Sequence, residues 1–187
     1  PGRYYHRAYF HREYSKDYNL ALLDYSKAID LDPDNPKWYY NRAYFYKWDL
    51  KDDDAALKDY NRALKIDPAF VLAINGAGII YKDQGKLELA IATYEKGIAL
   101  EKTDPKSAAY CYHNRALIYE ESEQFDKALA DYNKAIELDP KKPDWHKNRA
   151  LFHDKLKNNN EALIDYSKAI ELDPENPKRW YYRGHFY

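Results

Sequence analysis

One pattern of small and aromatic residues recurs five times along the chain. In two of its clearest copies, Ala128 to Pro140 (ALADYNKAIELDP) and Ala162 to Pro174 (ALIDYSKAIELDP), an alanine is followed four residues later by tyrosine and after three more by a second alanine. Intervals of three and four residues place side chains on one face of an α-helix. The pattern therefore predicts an amphipathic helix whose small residues let a neighbouring helix approach closely.

The tyrosine of this pattern marks its period. It occurs at intervals of 35, 34, 38 and 34 residues, as Tyr25, Tyr60, Tyr94, Tyr132 and Tyr166. A fixed period in this range predicts a stack of repeated units, each of which buries its apolar face against the next. We interpret the tyrosines and their flanking small residues as packing groups: Ala21, Ala56, Ala90, Ala128 and Ala162, with Ala28, Ala63, Gly97, Ala135 and Ala169.

Each repeat also begins with a helix of its own. Asn35-Pro36, Asp104-Pro105 and Asn176-Pro177 each place a capping side chain before a proline that needs no backbone donor. We predict first helices at about 2–15, 36–49, 69–83, 105–121 and 143–156. The second helices should lie at about 18–30, 53–65, 87–101, 125–137 and 159–171, and an eleventh helix should begin at Pro177.

Two irregularities interrupt the period. About four extra residues, one helical turn, lie between Glu101 and Ala108; they favour a tolerated insertion over a change in the binding surface. A single extra residue is expected in the turn near Asp52 to Asp54. That acidic run lacks the glycine and the terminal glutamate of a calcium loop, so we expect no metal there.

The period, the Ala-x3-aromatic pattern and the proline that follows resemble the tetratricopeptide repeat. The family's Trp-x2-Leu-Gly-x2-Tyr spacing is matched here, with arginine in place of leucine, by Trp180, Arg183, Gly184 and Tyr187, by Tyr39, Arg42, Ala43 and Tyr46, and by Tyr112, Arg115, Ala116 and Tyr119. The resemblance covers the whole chain. It implies an all-α, right-handed superhelical solenoid of helix-turn-helix repeats, with five units and one further first helix.

The resemblance predicts a single domain over residues 1–187 without an internal boundary. Its repeats would span about 1–35, 36–69, 70–104, 105–142 and 143–176, with a half-repeat at 177–187. Residue 1 already lies within a repeat and the chain contains no methionine. We therefore expect the sequence to be part of a longer protein.

Charge and hydropathy limit the classes of partner. The chain has 30 basic and 31 acidic residues, so no field of the whole molecule attracts nucleic acid or an anionic membrane, and we expect neither partner. The longest apolar stretch, Ala69 to Tyr81, is too short to span a bilayer. Cys111 is the only cysteine, which favours a reducing compartment such as the cytoplasm.

No catalytic, metal or cofactor constellation is apparent in the sequence. Cys111 and His113 stand two apart on a helix and point to different faces, and His146 and His153 lack an acidic or cysteine companion. Asn75 to Gly78 contains two glycines but falls within a helix, unlike a phosphate-binding loop. We expect neither an enzyme nor a bound cofactor.

An arginine on the first helix and an aspartate on the second predict an ion pair within a repeat. The third repeat has Ala77 and Thr93 in their places, so both partners are lost together. This favours pairing within each repeat over pairing between successive repeats. The predicted structural pairs are Arg7 with Asp24, Arg42 with Asp59, Arg115 with Asp131, and Arg149 with Asp165.

In the tetratricopeptide family the first helices line the concave groove, so the resemblance implies that a ligand contacts their exposed face. Asparagine offers both a donor and an acceptor to an extended peptide backbone, and aromatic neighbours bury peptide side chains. We therefore expect a noncatalytic scaffold that binds a peptide or protein segment. The plainer alternative is that these side chains only pack or are solvated. The candidates are Tyr5, Tyr9, Tyr40, Asn41, Tyr44, Trp48, Asn75, His113, Asn114, Lys147, Asn148 and Tyr181.

Other functions stay open at this point. The chain would serve equally as a regulatory or assembly module of a larger protein, and stacked tyrosines are also compatible with single-stranded RNA. The carboxylate clamp of chaperone-binding family members is a minority interpretation, because Asn41, Asn114 and Asn148 lack its preceding Gly-Asn. Self-association is a further alternative, through a first helix without its second that carries Trp180, Tyr181, Tyr182, Phe186 and Tyr187.

Overall fold

A computed structural model of the chain describes the backbone of residues 1–186 and the side chains of residues 1–184. All regular elements in this part are helical, and the positions predicted for first and second helices are confirmed. The α-helices are α1 (Gly2–Phe10), α2 (Tyr18–Leu31), α3 (Pro36–Phe45), α4 (Asp53–Ile66), α5 (Val71–Asp83), α6 (Leu87–Ile98), α7 (Pro105–Glu121), α8 (Phe125–Leu138), α9 (Pro143–Lys155), α10 (Asn159–Leu172) and α11 (Pro177–Phe186).

Side-chain caps determine where several helices begin. A carboxylate oxygen of Asp17 accepts a hydrogen bond from the backbone N–H of Leu20 at 3.0 Å, and Asp104 does the same for Ser107 at 3.1 Å. Such caps satisfy backbone donors that have no partner inside the helix, and each typically contributes about 1 kcal/mol. Pro36, Pro105 and Pro143 each occupy the first turn of a helix, where a missing N–H has no cost.

A single left-handed residue ends each first helix. These residues have φ between 54° and 72°, and each lies five positions before the first alanine of the following second helix: Lys16, Lys51, Gly85, Glu123 and Lys157. The connection between first and second helix therefore has the same length in all five repeats.

The extra residue of the second repeat lies inside its first helix, so the prediction of an insertion near Asp52 to Asp54 was wrong. A π-helical turn over Tyr46–Leu50 continues α3, and an equivalent turn over His11–Ser15 continues α1. The left-handed Lys51 follows Ala43 by eight residues, whereas Lys157 follows Ala150 by seven. A π turn absorbs one additional residue within a helix, which leaves the connection unchanged.

The larger insertion is one additional turn at the start of α7, within the predicted interval of Glu101 to Ala108. Pro105 precedes the buried Ala116 by eleven residues, whereas Pro143 precedes Ala150 by seven. With 3.6 residues in a turn, four residues extend the helix by about one turn and keep its faces in register.

The predicted packing groups are buried. Ala21, Ala56, Ala128 and Ala162 are fully inaccessible, and the repeat tyrosines are at most 3% exposed. Gly76 of α5 faces Tyr60 of α4, and the Tyr60 ring occupies the space that a Cβ atom at Gly76 would need. Close packing of α5 against α4 follows directly from this missing side chain.

Two compact units make up the chain: a first unit, Pro1–Thr93, and a second unit, Tyr94–Tyr187. The division falls within the sequence of α6. In the first unit Tyr25 packs against Phe45, with ring centroids 5.4 Å apart; in the second Tyr132 packs in the same way against Phe152. The expectation of one uninterrupted domain stays a prediction. Across residues 1–186 no helix combines the length and apolarity of a membrane span.

Candidate functional site

A cavity of about 340 Å³ opens in the first unit between α1, with its π turn, and α3. We call it the aromatic cavity. It brings together five residues predicted for the groove, Tyr5, Tyr9, Tyr40, Asn41 and Tyr44, and adds three further lining residues, Arg12, Glu13 and Tyr25.

Arg12 is held at the wall of the aromatic cavity by Asp49 of the second π turn and by Tyr44 of α3. Its Nε donates to Oδ2 of Asp49 at 2.7 Å, and its guanidinium lies 5.0 Å from the centroid of the Tyr44 ring. Burial opposes the charged form, but Asp49 outweighs this effect and raises the pKa of Arg12. Arg12 therefore keeps its charge, and Asp49 compensates it.

Tyrosine rings form the floor and sides of the aromatic cavity. Tyr25 is 3% exposed, and burial raises the pKa of its phenol to about 12, so the phenol is neutral at physiological pH. Tyr40 packs against Phe70 with centroids 5.4 Å apart. Tyr9 and Tyr44 are more exposed, so the rim offers aromatic surface while the floor is fixed by packing.

Trp48 extends this aromatic surface beyond the cavity. Its ring centroid is 6.2 Å from that of Tyr44, and the residue is 43% exposed. The ammonium groups of Lys47 and Lys51 lie 5.6 and 5.9 Å from the same ring. Lys47 is itself held by Asp53 and Asp83 at 3.0 and 2.7 Å, which orders the π turn that carries Trp48.

In the second unit, His113 is buried and does not lie on the exposed face that the sequence predicted for it. It is 8% exposed, and its ring packs 4.7 Å from Trp145 and 5.8 Å from Tyr132. The amide nitrogen of Asn148 is 2.5 Å from His113 Nε2, and Oδ1 of Asn114 is 3.4 Å from His113 Nδ1. If Asn148 donates, the ring proton resides on Nδ1 and points to Asn114.

The predicted exposure of Asn75 is also wrong. Asn75 is 8% exposed within α5, where Val71, Ala73 and Ile74 are buried as well. The close approach that Gly76 allows to Tyr60 draws this helix into the core, which places its flanking side chains below the surface. Neither Asn75 nor His113 therefore presents an open face to a ligand.

The remaining candidates of the second unit are partly accessible. Lys147 is half-buried 5.6 Å from the Tyr182 ring, and burial lowers the pKa of its ammonium group. Tyr181 is 65% exposed. For the alternative of self-association, Trp180 is exposed as well, whereas the Phe186 side chain and Tyr187 lie outside the described residues. Lys142, which the sequence did not single out, donates to the Tyr110 hydroxyl at 2.9 Å.

All four predicted arginine and aspartate pairs are in contact. In each pair Nε and Nη2 donate to the two carboxylate oxygens at 2.6 to 2.9 Å. In three of them the third nitrogen faces the preceding repeat: Arg42 Nη1 donates to Ser26 at 3.0 Å, Arg149 Nη1 donates to Asn133 at 2.6 Å, and Arg115 Nη1 lies 3.6 Å from Oε1 of Glu95. The arginine thus joins its own second helix to the one before it.

The described residues hold no cluster of three or more histidine, cysteine or acidic side chains placed to bind a metal. Cys111 is buried, and burial raises the pKa of its thiol to about 12, so it is protonated at neutral pH. A protonated, inaccessible thiol is a poor nucleophile.

Known proteins place this architecture in a family. Sequence profiles of the tetratricopeptide repeat match residues 37–70, 73–104, 109–142 and 143–176, and a TPR repeat profile matches residues 14–47. A search of curated protein sequences gives no significant match.

Solved structures resemble the chain over its full length. TTC0263, a thermophilic TPR protein of Thermus thermophilus, has a TM-score of 0.79 at 20% identity, covering 99% of this chain and 97% of that one. PilW, a type IV pilus biogenesis factor, has a TM-score of 0.75 at 19% sequence identity, and the match covers 99% of this chain and 89% of PilW. A chain of the APC/C hetero-tetramer Cut9-Hcn1 has a TM-score of 0.76 at 16% sequence identity, and the match covers 98% of this chain and 35% of that one. With repeat profiles over most of its length, the chain belongs to the tetratricopeptide repeat family.

Proposed function

We propose that the chain is a noncatalytic scaffold that binds an extended peptide segment on the first-helix face of its first unit, centred on the aromatic cavity. Proteins built from this repeat generally bind proteins or peptides without catalysis, and similar structures include a pilus biogenesis factor and a complex of the APC/C. The observation that carries the proposal is the cavity itself, which unites Tyr9, Asn41 and Tyr44 around one space.

The chemistry of the cavity favours one kind of contact. A volume of about 340 Å³ is at the lower end of ligand pockets, which suits one or two peptide side chains. Arg12 is compensated by Asp49, so an apolar or aromatic side chain fits better than an acidic one. Asn41 offers its amide to the peptide backbone, and tyrosines are frequent sources of binding energy in interfaces.

The second unit contributes less to this proposal. Asn114 and Asn148 contact the buried His113, so we assign their side chains to packing and not to ligand binding. Lys147 and Tyr181 stay candidates for an extension of the peptide-binding surface.

The test is a selection of random peptides on the full chain, followed by affinity measurements on two double variants. Asn41→Ala with Tyr44→Ala should weaken the selected peptides by about tenfold or more, since it removes one backbone hydrogen bond and one aromatic contact. Leu23→Ala with Lys27→Ala, on the exposed face of α2, should change affinity less than about twofold. Equal losses in both variants would refute the proposed site.

A further inference from the structure

A second cavity of the first unit has a different chemical character. It measures about 420 Å³ and is lined by Tyr39, Arg42, Lys58, Asp59, Asn61, Arg62 and Lys65. Tyr39 and Arg42 lie on the face of α3 opposite to Tyr40, Asn41 and Tyr44 of the aromatic cavity, because three- and four-residue intervals define one face of a helix. We call this space the basic cavity.

The third repeat supplies no arginine to this cavity. In the first and fourth repeats, the residue after the repeat tyrosine contacts the arginine of the next first helix, as Ser26 does with Arg42 and Asn133 with Arg149. The equivalent residue in α4 is Asn61, and Ala77 takes the place of the arginine that would meet it. No residue of α5 lines the cavity.

The charge of α4 differs from that of the other second helices. The position of Arg62 is lysine elsewhere, and in three helices that lysine pairs with an acidic residue three positions later: Lys27 with Asp30 at 3.9 Å, Lys134 with Glu137 at 2.8 Å and Lys168 with Glu171 at 2.7 Å. In α4 the acidic position is Lys65, so a compensating carboxylate is replaced by a further cation.

The cations of the basic cavity are arranged in two layers. Arg42, at the back, is fully engaged: its Nε and Nη2 donate to Asp59 and its Nη1 to Ser26. In front, Lys58, Arg62 and Lys65 are exposed and form no ion pair with any residue that the structure describes. Arg62 lies 5.7 Å from the ring of the buried Tyr39, which fixes its guanidinium at the cavity mouth.

A cavity in the second unit shows that the charge distinguishes this site. It measures about 580 Å³ and is lined by Arg149, Asp165 and Ser167 at positions equivalent to Arg42, Asp59 and Asn61. Its lysine, Lys168, is paired with Glu171. The shape therefore recurs, but the uncompensated positive lining belongs to α4.

We propose that the basic cavity binds an acidic segment of a polypeptide in an extended conformation. At a rise of 1.5 Å per residue, Arg62 and Lys65 lie about 6 and 10 Å along α4 from Lys58. Alternate residues of an extended peptide are about 7 Å apart and point to the same side. Carboxylates at alternate positions therefore match Lys58 and Arg62, Lys65 adds a further positive charge beside them, and neighbouring backbone amides reach Asn61.

Other anionic partners fit this site less well. Recruitment to an anionic membrane generally requires clusters of four to eight basic residues, and the exposed face here has three. Nucleic acid binding gains most of its affinity from many phosphate contacts, whereas the chain has a net charge of −1. A short acidic peptide requires only local complementarity.

The experiment uses the full chain and a labelled peptide of four Glu-Ser dipeptides, with four Gln-Ser dipeptides as the uncharged counterpart. Fluorescence anisotropy should show binding of the glutamate peptide and little binding of the glutamine peptide. The variant Lys58→Gln with Arg62→Gln and Lys65→Gln should weaken binding by about tenfold or more, because three exposed charge contacts are lost. The matched variant, Lys27→Gln with Lys134→Gln and Lys168→Gln, removes the same net charge and should weaken binding by less than about twofold.

Three outcomes would overturn the proposal: no binding of the glutamate peptide, equal losses in the two triple variants, or tighter binding of a 16-base-pair DNA or of phosphatidylserine vesicles through the same three residues. The inference is independent of the aromatic cavity. Asn41→Ala with Tyr44→Ala should leave glutamate-peptide affinity unchanged, so failure of one site is distinguishable from failure of the other.

Discussion

At the scale of single residues, the arginine and aspartate pairs of four repeats have the largest expected effect on stability. Asp59 and Asp165 are almost fully buried, and each receives two hydrogen bonds from one guanidinium. Removing only the arginine would strand a buried carboxylate, which is far more costly than losing an exposed ion pair.

The first prediction compares two of these pairs. Arg42→Ala should destabilise the chain by about 3 kcal/mol, the lower end for a broken buried pair. The same substitution at Arg149 should cost less, because His146 Nδ1 lies 3.1 Å from Asp165 and offers it a second partner. Urea unfolding of single and double variants measures both coupling energies.

Double-mutant cycles separate the interaction energy of each pair from the cost of losing two large side chains. Arg42→Ala with Asp59→Ala should cost little more than Asp59→Ala alone. A coupling below about 0.5 kcal/mol in both repeats would contradict a structural role for the pairs.

The second prediction concerns pH. His153 is buried, no described residue is a hydrogen-bond partner of its Nδ1, and burial lowers its pKa below the ordinary value of 6.5. The unfolded chain then binds more protons, so stability should fall as the pH drops below about 6.5 and level off below the folded pKa. Tyrosine occupies the equivalent position in the second, third and fourth repeats, as Tyr46, Tyr81 and Tyr119. His153→Tyr should therefore lose less stability than the parent when urea midpoints at about pH 7.5 and 5.5 are compared; an identical loss would exclude His153 as the source.

A contact between two residues could be predicted from the sequence where it depends only on their positions along two packed helices. Arg42 and Asp59 stand on helix faces that antiparallel packing brings together, so their pairing could be predicted. The burial of Asn75 and His113 could not, because a helical pattern indicates the direction of a side chain but not how near the next helix lies. That depth depends on Gly76 in one case and on Trp145 in the other.

At the scale of elements, the π turns after α1 and α3 are the main departure from the expected repeat. The sequence shows the extra residue but not its position, since a longer turn and a wider helical turn have the same length. The structure keeps the turn constant and places the residue in the helix. As a result Arg12 and Asp49, one from each π turn, meet at the aromatic cavity.

The third prediction tests the close contact between α4 and α5. Alanine in place of glycine normally stabilises a helix interior by about 0.5–1 kcal/mol. At Gly76 the new Cβ would overlap the Tyr60 ring, so Gly76→Ala should instead destabilise by about 1–3 kcal/mol. In a Tyr60→Leu background the same change should be neutral or stabilising. A gain in stability in the parent background would show that the ring moves away without cost.

The fourth prediction separates asparagines that occupy equivalent positions. Asn148→Ala should destabilise by about 1–3 kcal/mol, because it removes the partner of a buried imidazole nitrogen. Asn41→Ala should change the free energy of unfolding by no more than about 0.5 kcal/mol, since Asn41 lines an open cavity. Thermal or urea unfolding of the two variants checks this; equal costs would mean that Asn41 is structural as well.

At the scale of the whole molecule, the fold class follows from repetition. Five copies of one pattern multiply a weak local signal, so the helices and their order could be predicted from Tyr25, Tyr60 and their counterparts. The site was predictable only in part. Tyr9, Asn41 and Tyr44 were identifiable from their helix face, whereas Glu13 and Tyr25 enter the cavity through the π turn and the packing of α2.

Charge has a local role in this molecule. With 30 basic and 31 acidic residues, the chain as a whole offers no strong field to a distant partner. The two proposed sites differ accordingly: Arg12 is compensated in the aromatic cavity, whereas three cations of the basic cavity are not. Binding at the first site should depend little on salt, and binding at the second should weaken as salt rises.

The most direct test of peptide binding at the aromatic cavity is a two-dimensional NMR titration of the labelled full chain with a selected peptide. We expect shift changes concentrated in α1, its π turn and the face of α3 that carries Asn41 and Tyr44. Changes concentrated instead on the exposed faces of α2 and α4, with Tyr9, Asn41 and Tyr44 unaffected, would contradict it.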